Sequence, residues 1–267
     1  MKKSTLAAKA IVTATVGIGF VSAMPAANAG SLIPNREGEI KLTNMACVVS
    51  SSDCIDTQQE FGYSVTSLAY KSYATQADKD ANKLTTYRAS RLFVDKSVTA
   101  NSWLVGNNNT RGIEFKTQDL GTNTNKDELW LRPVAYDASN RTRENGQLEV
   151  GLFRFDFNQA IDKLVFNVFD VESAMKSGIT AINGKSISQF FQNTGNNGSE
   201  KVTLKNVKSL TMQIGYTGYD SGFETGDGAR LAGLQAVPES STTVSLGLLA
   251  LAGMFGVSQR KKASKLA

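Results

Sequence analysis

The sequence predicts a mainly β protein: an antiparallel β-sandwich of jelly-roll type, with a signal helix before it and a transmembrane helix after it. Three observations carry this expectation. Apolar residues alternate with period two in the second half of the chain, where β-branched and aromatic residues are enriched. Runs of Asn, Gly and Asp separate those segments, and no amphipathic helical pattern intervenes. Each end carries an apolar stretch beside basic residues, unlike anything in the body.

The chain of 267 residues opens on a leader. Lys2, Lys3 and Lys9 form its basic region and Ala10 to Val21 its apolar region. Ala27-Asn28-Ala29 is an A-x-A site, which places cleavage by signal peptidase before Gly30. Residues 1–29 are thus expected to be a signal peptide, and residues 30–236 an exported domain.

Cys47 and Cys54, in MACVVSSSDCID, are the two cysteines. In an exported chain they predict one disulfide that pins a surface loop near the mature N-terminus. The spacing is not the C-x-x-C of a redox pair.

Up to about Asn145 the body is polar. Its apolar runs are short: FGYSVTSLAY, RLFV, SWLV, GIEF and ELWLRPVAY. Each is bounded by Gly, Asn, Asp or Lys, which reads as short strands and long loops. ATQADKDANKLTTYRAS has room for a helical turn or two.

The second half is more regular. In EVGLFRFDF, Phe153, Phe155 and Phe157 share one face, and Val150, Leu152 and Arg154 the other. KLVFNVFD sets Leu164, Phe166 and Val168 against Val165, Asn167 and Phe169. SLTMQIGY sets Leu210, Met212, Ile214 and Tyr216 against Thr211 and Gln213. FNQAID, NTGNNGSE and TGYDSGFETGDG are expected to link these strands.

Charge and composition narrow the chemistry. Seven of the 29 basic residues and one of the 24 acidic ones lie in the end segments, which leaves 22 and 23 in the body. A near-neutral body lacks the basic excess that nucleic acid requires, so no nucleic-acid partner is expected. There is no histidine. Ser-His-Asp and Cys-His mechanisms are therefore excluded, and so is the commonest transition-metal ligand.

The C-terminal stretch, residues 237–267, has three parts. Val237-Pro238-Glu239-Ser240 comes first. Fourteen apolar or small residues follow from Val244 to Val257, Ser245 excepted, and extension to Thr242 and Ser258 gives seventeen. That reaches the lower edge of a bilayer span. Arg260, Lys261, Lys262 and Lys265 then act as a basic stop, as expected of a cytoplasmic end. Pro238 disfavours helix at the residue before it and keeps the junction extended.

This layout resembles the PEP-CTERM sorting signal: a Pro-Glu-Pro-like motif, a transmembrane helix and a basic end. Here the third motif position is Ser240 rather than Pro. The resemblance implies that an exosortase, a membrane cysteine protease, cuts near the motif. ENGQLEVGLFRFDFNQAIDKLVFNVFDVE and GYTGYDSGFETGDGARLAGLQAVPES are similar to the LEVG family of PEP-CTERM proteins, seen chiefly in cyanobacteria. Its name-giving residues stand here as Leu148-Glu149-Val150-Gly151. The resemblance implies export, surface sorting and an exopolysaccharide setting, and it carries over no catalytic residues.

Two further chemistries are open to the body. Asp156, Asp170, Glu172, Asp220 and Asp227 fall at strand ends and loops, where a set of oxygens suits Ca²⁺ if they converge. Other than that possible Ca²⁺, no cofactor is expected. Tyr216 and Tyr219, in a Gly-rich loop, could stack on sugar rings, with Trp103, Trp130 and Tyr136 as further aromatic candidates. The leading expectation is a non-enzymatic exported protein. It would be held at the inner membrane and then released to the cell surface or matrix, in a structural or adhesive role beside exopolysaccharide. The alternatives are a carbohydrate-binding module, Ca²⁺-dependent or not, and a glycan-active enzyme with two carboxylates about 5–10 Å apart.

Overall fold

The computed structural model describes residues 31–73, 75–87, 89–96, 101–104, 112–115, 127–135, 149–171, 174, 176–192, 194–195, 198–215 and 230–237. Residues 1–30, 216–229 and 238–267 lie outside them. The described residues are mainly β. In order, the elements are β1 (Gly38–Ile40), β2 (Cys54–Ile55), α1 (Thr57–Glu60), β3 (Tyr63–Leu68) and β4 (Tyr70–Ser72). Then come α2 (Gln76–Asp80), β5 (Thr85–Tyr87), β6 (Arg91–Lys96), β7 (Asn101–Leu104), β8 (Gly112–Phe115) and β9 (Leu129–Val134). The second half holds β10 (Gly151–Phe169), β11 (Gly178–Ile182), β12 (Lys185–Phe190), β13 (Ser199–Ile214) and β14 (Arg230–Val237).

The main sheet has ten strands in the order β12-β11-β13-β10-β14-β9-β6-β1-β2, with β3 on β10. The pairing is antiparallel except between β1 and β2. Beyond β1 the chain turns onto β3, where Thr43 N–H donates to Val65 C=O at 2.9 Å. The hydrogen-bonded path β10-β14-β9-β6-β1-β3 therefore returns to β10. Its interior holds the main core, with Phe153, Phe155, Phe157, Leu164, Phe166, Val168, Leu92, Val94, Leu131, Tyr63 and Val65 all buried.

FNQAID proves not to be a link between strands. It lies inside β10, a 19-residue strand that spans both predicted segments. Asp156 faces Ser209 on β13 and Ile161 faces Val207, so four residues of β10 oppose one of β13. The surplus bulges outward, with Asn158, Gln159 and Ala160 exposed. The inward set consequently changes from odd positions (Phe153, Phe155, Phe157) to even ones (Leu164, Phe166, Val168) without leaving the core face. Asn158 ties the bulge down. Its N–H donates to Gly62 C=O, and its side-chain and backbone oxygens accept from Gln58 Nε2 and Lys208 Nζ.

The other predicted strands are present, and the polar stretch after β4 gives α2, capped by Thr75. β11 and β12 join through Asn183-Gly184, both at positive φ (52° and 74°), as a two-residue hairpin turn requires.

Candidate functional site

A second core lies on the outer face of β6 and β9. Alternation puts Leu92, Val94 and Leu131 inside the circuit and Arg91, Phe93, Asp95, Arg132 and Val134 on the other face. That face is covered by Ile113 and Phe115 of β8 and by Val49 of the disulfide loop. β6 is thus buried on both sides, and its Arg91 and Asp95 are buried with it.

Two arginines there meet three carboxylates. The Arg132 and Glu149 side chains are fully buried, and Asp95 and Glu39 are each 1% exposed. Arg132 donates from NH1 to Asp95 Oδ2 at 2.8 Å, and its Nε lies 2.6 Å from Glu149 Oε1. Its guanidinium carbon sits 4.3 Å from the Phe115 ring centroid. One arginine thus meets two carboxylates and an aromatic face, a geometry suited to the planar guanidinium.

Arg91 pairs with Glu39 and also donates to Ala46 C=O at 2.9 Å. The second Glu39 oxygen accepts from the backbone N–H groups of Val48 and Val49, at 2.7 and 3.2 Å. The predicted disulfide, Cys47–Cys54, closes this same loop. It holds the Val48 and Val49 amides against Glu39 while Val49 packs on Phe93, Ile113 and Phe115.

Burial pushes the Asp95 carboxyl up to about 6; Arg132 opposes the shift and the negative charge of Glu37 adds to it. Burial likewise pushes the Tyr63 phenol up, and its hydroxyl donates to Leu32 C=O at 2.8 Å. On the surface, Asp56 is held below the usual carboxylate range by the Lys41 ammonium at 2.8 Å. Both arginines are committed to buried carboxylates, so this constellation fastens β1, β6, β9 and the chain before β10 to one another.

The sequence-predicted residues fall elsewhere. Asp156 begins the bulge and pairs with Arg154 at 2.7 Å. Asp170 is buried just beyond β10, at φ 58°. Asp156 faces Ser209, whereas Phe169 faces Ser199. Ten residues of β13 separate those positions, roughly 30 Å along a strand, so Asp156 and Asp170 do not meet. Glu172, Asp220 and Asp227 lie outside the described residues, as do Tyr216, Tyr219 and Tyr136. Among the described residues no three His, Cys, Asp or Glu side chains come together. Trp130 is buried against Phe169, which removes it from any surface platform.

Val237 is the last residue of β14 and pairs with Lys163 of β10. Pro238, Glu239, Ser240, Arg260, Lys261, Lys262 and Lys265 lie outside the described residues, as do Ala27 and Ala29. No helix among the described residues is long and apolar enough to cross a membrane. Of Leu148-Glu149-Val150-Gly151, three residues are described. Glu149 meets Arg132, and the Val150 C=O accepts from Ser90 Oγ at 2.6 Å. Gly151 leaves room for the Phe153 ring, which a Cβ there would approach to 2.2 Å.

The buried pairs were not among the expected site residues. Their signal is opposite charge at alternate positions of strands that are apolar on both faces: Arg91 and Asp95 in RLFVDK, Arg132 in LWLRPV. Comparison with protein-family models, curated proteins and solved structures finds no match to this chain.

Proposed function

We propose that this chain is an exported, exosortase-processed protein of the cell surface or extracellular matrix, structural or adhesive and non-catalytic, working beside exopolysaccharide. Its body would be a jelly-roll-like sandwich whose long strands β10 and β13 bend at their shared irregularity to serve two halves. The leader with Ala27 and Ala29, and the tail with its motif, apolar run and basic end, are those of a PEP-CTERM protein of the cyanobacterial LEVG type. The observation that carries the reading is this tripartite tail following directly on a folded β body. Two features of the fold support it. The Cys47–Cys54 disulfide suits an oxidising, extracytoplasmic compartment. Val237 is extended in the β14 ladder and stands immediately before Pro238-Glu239-Ser240 in sequence, which sets the motif next to the β body.

The test is to replace Pro238, Glu239 and Ser240 together by Ala in the native host and follow the protein by immunoblot in membrane and extracellular fractions. The expected result is release of the wild type and retention of the variant in the membrane. Equal release of both would remove the exosortase from the account.

A further inference from the structure

The outward face of β10 and β13 carries lysines beside the point where the tail leaves. Lys163 and Lys205 are directly opposed across the two strands, and both are exposed. Lys201, opposite Asn167, is exposed on the same face two pleats away. Like charges directly opposed on a sheet destabilise it, so this arrangement is held against a local cost. Several surface cations elsewhere have partners, Arg36 with Glu60, Lys41 with Asp56 and Arg154 with Asp156, while the exposed Lys71 and Lys185 have no ion pair among the described residues. Lys163, Lys201 and Lys205 make no ion pair among the described residues; the exposed Asp162 and the half-exposed Glu200 are the carboxylates beside them in sequence.

The position of these lysines indicates what they meet. Val237, the last ladder residue, pairs with Lys163 itself. The apolar run begins five to seven residues later, at Thr242 to Val244. A chain advances at most about 3.5 Å per residue, so the Lys163–Lys205 pair is kept within roughly 25 Å of the bilayer. We infer that Lys163, Lys201 and Lys205 dock the anchored body on anionic lipid headgroups of the membrane that holds its tail. This rests on the tail spanning the membrane, as proposed above. The attraction acts over about one Debye length, ~10 Å at 0.1 M salt, so it operates while the tether is intact and is lost by dilution after cleavage. Docking would hold the start of the motif at the headgroups, within reach of a membrane-embedded protease.

The full-length protein is reconstituted in nanodiscs of phosphatidylcholine alone or with one-third phosphatidylglycerol. Lysines are then acetylated briefly with an activated ester and read one by one by mass spectrometry. The expected result is at least threefold slower acetylation of Lys163, Lys201 and Lys205 in the anionic discs, abolished by 0.5 M NaCl, with Lys71 and Lys83 unchanged. Co-elution with both discs but equal acetylation overturns the docking and leaves the anchor standing. Failure to co-elute with either disc overturns the anchor and the docking together. Protection by added polygalacturonate, without protection by anionic discs, would make the face a glycan site and overturn the lipid assignment.

Discussion

Arg132 and Glu149 meet at 2.6 Å with both side chains out of water, which joins β9 to the residues that open the longest strand of the fold. Arg132 also holds Asp95, so removing the arginine takes the cation away from two buried carboxylates. Arg132→Met is expected to cost about 3–5 kcal/mol, whereas Glu149→Gln, which leaves Arg132 with Asp95, should cost much less. Urea denaturation of the three proteins checks this. A loss under about 1 kcal/mol for Arg132→Met would show that the arginine is not a fastening.

Asp95 sets the pH response. Its carboxyl sits near 6 in the fold, against 3.8 ordinarily. Between those values the folded state holds a proton that the unfolded state has released. Stability therefore falls as pH rises through this window, by up to roughly 3 kcal/mol. Asp56, held low by Lys41, acts in the opposite sense: its contribution is present above 3.8 and is lost as pH falls through its lowered folded value. Melting temperature should thus rise from pH 7 to about pH 4.5 and drop below pH 4. Asp95→Asn should flatten the upper limb of that profile, and an unchanged slope in the variant would contradict the assignment.

The disulfide loop has an eight-residue span, Cys47 to Cys54. Loop-closure entropy alone gives about 2.5 kcal/mol for such a loop. Replacing both cysteines by serine should lower stability by about that amount, and by more if the Val48 and Val49 amides leave Glu39. Chemical denaturation of oxidised, reduced and double-serine protein compares the two contributions. Indistinguishable midpoints would mean that the loop is held without its disulfide.

Gly38 stands at φ 155°, where a Cβ would lie 2.3 Å from the Asp53 carbonyl oxygen. That oxygen accepts the Glu39 N–H at 2.8 Å, and backbone cannot move aside without breaking the β1–β2 ladder. Gly38→Ala is expected to destabilise by about 1–3 kcal/mol. Thermal melting checks it, and a neutral substitution would place the two strands further apart than described here.

Much of the fold is legible in residue alternation. Phe153, Phe155 and Phe157, then Leu164, Phe166 and Val168, are inward as their spacing predicts, and Leu210, Met212 and Ile214 are inward on β13. What alternation cannot show is continuity: Asn158, Gln159 and Ala160 read as a turn because a bulge and a turn expose the same kinds of residue. The β11–β12 hairpin is announced by Asn183-Gly184 but not by period, since β12 is exposed almost throughout. The buried ion pairs are hidden for another reason. A charged residue in a strand ordinarily marks a solvated face, and only the second layer of Val49, Ile113 and Phe115 makes the face around Arg132 dry.

The central claim is that the chain is cut at both ends on its way out of the cell. It is tested most directly by mass spectrometry of both termini of the native protein, taken separately from membrane and extracellular fractions. The account predicts extracellular protein that starts near Gly30 and ends near Pro238. Extracellular protein that still carries Lys261 and Lys262, or a body found only in the membrane with its tail intact, would contradict it.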